Sequence, residues 1–94
     1  MREAIPRALL RAVLVEYQAR PYRELAASIG RADVRTVRGS DGRDYQIEVE
    51  AIWLDRPGGT IHVVGVIDDG SDEALFPLSE DFLASSEGKF ISED

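Results

Sequence analysis

The chain has 94 residues, 44% hydrophobic and 31% charged, with a formal net charge of −7. That length and composition predict one folded domain spanning residues 1–94, built on a single modest core. The absence of cysteine excludes a disulfide framework, a thiolate metal centre and a cysteine nucleophile, and the single histidine, His62, excludes a site needing two imidazoles from one chain.

Residues 4–19 read as a helix. Pro6 suits a first turn, where a missing N–H costs nothing. Leu9, Leu10, Val13, Leu14 and Tyr17 recur at helical period, while Arg7, Arg11 and Gln18 fall on the opposite side. Glu16 and Arg20 are spaced to pair one turn apart. Pro21 holds Arg20 out of helical geometry and ends this helix. Tyr22, Leu25, Ala26 and Ile29 return to helical spacing, with Gly30 as a stop, so residues 22–29 form a short second helix.

From Asp33 the period becomes two. Residues 33–39 read as a strand, and Asp41-Gly42 as a two-residue hairpin turn. That turn pairs Arg35 with Glu48. Tyr45, Ile47, Val49, Ala51 and Trp53 then alternate with Asp44, Gln46, Glu48, Glu50 and Ile52, giving one apolar and one largely acidic face. Asp55-Arg56-Pro57-Gly58-Gly59 is a turn by composition. The strand after it, residues 60–68, sets Ile61, Val63, Gly65 and Ile67 on one face and His62, Val64 and Val66 on the other. The second turn places Trp53 opposite Ile61, Ala51 opposite Val63, Val49 opposite Gly65 and Ile47 opposite Ile67. This apolar face packs under the first helix, and the gap at Gly65 admits a large helix side chain.

Residues 68–73 form an acidic loop. Residues 74–78 read as a further strand, placed at an edge by Pro77. Residues 82–84 and 89–91 flank Ser85-Ser86-Glu87-Gly88 as a small hairpin; the competing reading is a short helix capped by Ser79. The expected fold is therefore α+β: two N-terminal helices packed on an antiparallel meander of about four strands, with a short C-terminal hairpin.

Charge is divided along the chain. Residues 1–43 carry nine arginines against five acids, whereas residues 44–94 carry Arg56 and Lys89 against thirteen acids. No apolar run reaches the roughly 18 residues of a membrane span. Arg2 and Arg7 precede an apolar stretch, but Arg11 and Glu16 interrupt it and Arg20-Pro21 stands where a signal-peptide cleavage site belongs. A cytoplasmic protein without a membrane partner is the expectation, in the style of short bacterial proteins.

No catalytic constellation emerges. Glu50 and His62 share a face without a nucleophile or metal to complete them. Glu48 and Glu50 suit a solvated strand face better than acid–base chemistry. Residues 68–73 use calcium-loop residue types without the calcium-loop spacing. No glycine-rich loop runs into a helix as a phosphate cradle would, and the net charge opposes nucleic-acid binding. No enzyme activity, cofactor or metal is expected. The reading that remains is a small acidic binding protein, inhibitor- or immunity-like, that meets a basic protein through Asp44, Glu48, Glu50, His62, Asp68 and Asp69. The alternative is a self-associating structural domain, a homodimer closed through Ile52, Val64, Val66 and the C-terminal segment.

Overall fold

A computed structural model describes residues 4–70, 77–86 and 90–91. Helix α1 (Ala4–Gln18) is followed by the short α2 (Tyr22–Ala27). Among the described residues, five strands then form one antiparallel sheet in chain order: β1 (Asp33–Arg38), β2 (Asp44–Trp53), β3 (Ile61–Asp68), β4 (Leu78–Ala84) and β5 (Phe90–Ile91). The fold is α+β, with the two helices packed on one face of the meander.

The apolar stripe of α1 is the reason it docks. Leu10, Val13, Leu14 and Tyr17 are buried against Ile47, Val49, Ile61, Val63 and Ile67 of β2 and β3, with Phe82 of β4. Strand β2 alternates exposed and buried residues almost without a break, and β3 buries every second residue from Ile61. The register of β2 on β3 is the expected one, with Trp53 opposite Ile61 and Ile47 opposite Ile67. At Gly65 the helix closes in. A Cβ there would stand 2.9 Å from Leu10 Cδ1 and 3.1 Å from Leu14 Cδ2, so the missing side chain is what admits the two leucines.

Strand β1 departs from expectation. Its register on β2 sets Val34 opposite Glu48 and Arg35 opposite Ile47, one residue away from the predicted pairing, so the Arg35–Glu48 pair does not form. The cause is the connecting loop. It has three residues rather than two: Gly39 N–H bonds Arg43 O, Gly42 N–H bonds Gly39 O, and only Gly42, at φ +83°, takes positive φ. A two-residue type I′ turn needs positive φ at both central positions, whereas a type I turn followed by a left-handed glycine needs it once. A one-residue slip turns every side chain over. Asp33, Arg35 and Val37 therefore face the helices, and Val34 and Thr36 face solvent.

The fourth strand also lies later than predicted. It begins at Leu78 just after Pro77, and residues 79–84 are strand, which removes the helix capped by Ser79. Of the predicted 74–78 strand, residues 74–76 lie outside the described residues. The expected 82–84/89–91 hairpin is present as the pairing of Leu83 with Ile91 and Ala84 with Phe90. Arg7 and Arg11 do not simply face solvent. Both guanidinium groups reach Glu80 of β4, Arg11 at 3.4 Å, and so tie the helix to the strand.

Candidate functional site

Because both helices sit on one face, the other face of the sheet carries the exposed side chains. Its rows follow from the registers. Val34, Glu48, Val66 and Ser79 lie across one row, and Glu50, Val64 and Asp81 across the next. Ile52, His62 and Leu83 form the row at the far end, and Gln46 and Asp68 the row on the near side. Val34 is 53% exposed and Ile52 42%, large values for apolar residues in a sheet. No described helix or strand lies over them.

Five of the six residues singled out from sequence share this face. Asp44, Glu48 and Glu50 are exposed on β2, and His62 and Asp68 are half-buried on β3. Asp44 accepts a hydrogen bond from Arg38 Nε at 3.0 Å. Asp68 Oδ1 accepts the Gly70 amide at 3.0 Å. Among the described residues Glu48 and Glu50 make no hydrogen bond or ion pair. Asp69 does not belong with the others: its side chain is only 6% exposed and its carboxylate lies 3.4 Å from the Arg43 guanidinium.

His62 is oriented by a residue the sequence did not single out. Its Nε2 lies 2.6 Å from Asp81 Oδ2, so the imidazole points to β4 rather than to Glu50. Once β4 is aligned on β3, Asp81 stands diagonal to His62. The sequence reading, with this strand at residues 74–78, does not bring that neighbour to His62. No grouping of three His, Asp or Glu side chains suited to a metal ion occurs among the described residues.

A shallow cleft of about 240 Å³ is set into this face, lined by Val34, Gln46, Glu48, Val66, Asp68 and Pro77. A larger hollow of about 440 Å³ lies on the helix side, between the end of α1, α2 and the start of β1. Tyr17, Arg20, Arg31 and Asp33 line it, and several of their polar atoms are engaged with one another or with the backbone. Tyr17 donates to Asp33, which also accepts from Arg35 at 2.8 Å. Arg20 lies over the Tyr17 ring at 4.1 Å rather than pairing with Glu16, which instead accepts from Arg35 at 3.3 Å. Arg31 donates to Ala27 O at 2.7 Å. Along one wall of this hollow, Tyr17, Asp33, Arg35 and Glu16 form a strut joining the turned-over β1 to α1.

The strut has a pH signature. The hydrogen bond from Tyr17, and then that from Arg35, hold the Asp33 carboxyl below its usual range. Burial, and then the bond to Asp33, push the Tyr17 phenol above its usual range. Asp33 therefore contributes stability above its unfolded pKa of about 3.9 that is lost as pH falls through its lower folded value. Tyr17 contributes stability below its unfolded pKa of about 10 that is lost as pH rises through its higher folded value. The Asp33 side chain is 40% exposed, so solvent screening keeps its share under about 1 kcal/mol. In a pH series of chemical denaturation, Asp33→Asn should flatten the acid limb and Tyr17→Phe the alkaline limb. Limbs unchanged in both variants would show that the strut does not form.

Comparison with known proteins gives no matching family model, curated protein or solved structure. The fold and the open face thus define the chain on their own terms: a small α+β protein presenting a mixed acidic and apolar sheet surface. No described helix is long and apolar enough to cross a membrane.

Proposed function

We propose that the chain is a non-catalytic binding protein whose open sheet face docks on a basic protein, in the manner of an inhibitor or immunity protein. The observation that carries this reading is the pair of unengaged carboxylates, Glu48 and Glu50, set between exposed Val34 and Ile52 on a face that no described element covers. Apolar side chains supply the area that association needs, and carboxylates select the charge of the partner and speed the encounter. Asp44, Glu48, Glu50, Asp68 and Asp81 stand there against Arg38 and His62, so the face is acidic. Two copies stacked through it would bring carboxylates against carboxylates, which disfavours the homodimer.

The test is charge reversal. Glu48 and Glu50 are exposed, and their joint replacement, Glu48→Lys with Glu50→Lys, should leave thermal stability almost unchanged. Incubated with an extract of its source cells, the wild-type chain should retain a protein of net positive charge, identified by mass spectrometry and released as salt rises. The double variant should retain it at least about tenfold less, as expected for several kcal/mol of like-charge cost across an interface. Glu24→Lys, on exposed α2, should retain it normally. Retention indifferent to the double reversal, or no basic protein retained by the wild type, would overturn the reading.

A further inference from the structure

We infer that the cleft in the open face, lined by Val34, Gln46, Glu48, Val66, Asp68 and Pro77, is the seat of an arginine side chain of the docked partner. This deepens the docking reading above and rests on it. The cleft combines two features that an arginine needs together. Val34 and Val66 lie in one row, on either side of Glu48, and provide apolar surface for a three-carbon stem. Glu48 and Asp68 stand diagonal to each other across β2 and β3, because Glu48 pairs with Val66 and Asp68 with Gln46. Diagonal positions of this kind are separated by about 7–8 Å, a gap that a planar cation can bridge.

The geometry favours guanidinium over ammonium. A guanidinium presents donors along two edges and can serve both carboxylates at once, whereas an ammonium is a point charge that satisfies one. Gln46 adds a side-chain carbonyl at the same end. Glu48 has no competing partner among the described residues, and Asp68 uses one oxygen on the Gly70 amide and keeps the other. Elsewhere on the face Glu50 is also exposed, but it does not line the cleft.

The experiment uses small probes on the intact chain and is independent of any partner. The probes are n-butylguanidinium, n-butylammonium, which keeps the stem and loses the fork, and methylguanidinium, which keeps the fork and loses the stem. In titrations at low salt followed by amide chemical shifts, n-butylguanidinium should give saturable shifts centred on Val34, Glu48, Val66 and Asp68. Its affinity should exceed that of either other probe by about threefold or more, since bidentate pairing and stem burial each add to binding at an open site. Glu48→Gln should weaken it by about fivefold, and Glu50→Gln by less than about twofold. Shifts that track Glu50 as strongly as Glu48, equal affinity for all three probes, or no saturable response would overturn the arginine seat. Those results leave the docking reading to its own charge-reversal test, which reads partner retention and not cleft occupancy.

Discussion

Gly65→Val should destabilise the protein by about 2–3 kcal/mol, the cost of forcing volume into a packed core. Strand propensity alone would favour valine at this position by up to about 1 kcal/mol, so the sign of the effect is diagnostic. It is set by α1, whose Leu10 is fully buried with Cδ1 2.9 Å from where the new Cβ must stand. Leu10→Ala alone should cost about 2–5 kcal/mol, because it leaves a cavity over the same glycine. The two changes are complementary: valine fills space that alanine vacates. The double variant should therefore be more stable than the summed single effects by about 1 kcal/mol or more, the range found for residues in direct contact. Urea unfolding of the four chains closes the cycle. Additive effects, or a neutral Gly65→Val, would mean that the helix is not seated on β3 at this point.

That seat could be read from sequence, and the contrast with β1 shows why. Over residues 45–53 and 61–67 each strand has one unbroken apolar set, so only one face can turn inward and the 55–59 turn leaves one register that aligns the two sets. Strand β1 has no such set. Val34 and Val37 lie three apart, so either face could be taken as the buried one, and the choice passed to the loop. Asp41-Gly42 is compatible with a two-residue and a three-residue loop, and these differ by one residue in register. The Tyr17–Asp33–Arg35 strut, which depends on that register, was invisible for the same reason.

A different difficulty hid β4. Leu78, Phe82 and Ala84 alternate properly, but Glu80 occupies an inward position between them and breaks the pattern. Its carboxylate is tolerated there because Arg7 and Arg11 reach it from α1. A buried-side acid compensated by residues some seventy positions away leaves no local signal. With β4 displaced, Asp81 could not be recognised as the neighbour of His62. The carboxylates of the open face were legible because they belong to β2, the strand with the strongest alternation. The cleft was not, since it needs Val34 on the correct side of β1.

Tyr45→Ala should cost about 3–5 kcal/mol, as for other buried aromatic truncations. Total stability of a domain this size is about 5–15 kcal/mol, so much of the chain would be unfolded at modest denaturant. Tyr45 is 2% exposed and performs two tasks. Its ring closes the end of the core beside Gly39, whose built Cβ would lie 3.0 Å from Tyr45 Cε2. Its hydroxyl donates to Asp41 Oδ2 at 2.7 Å, while Asp41 Oδ1 accepts the Arg43 amide at 3.1 Å. One side chain thus links the core to the three-residue loop that sets the β1 register. Burial, followed by the bond to Asp41, raises the phenol above its usual range. Its contribution is therefore complete below pH about 10 and lost as pH rises through the higher folded value. Tyr45→Phe separates the tasks. It keeps the ring, so it should retain most of the stability lost in Tyr45→Ala, while flattening the loss of stability above pH about 10. A Tyr45→Ala chain as stable as the wild type would show that this end of the sheet is not packed. A Tyr45→Phe chain with an unchanged alkaline limb would show that the hydroxyl is not bound to Asp41, and the three-residue loop would lose its anchor to the core.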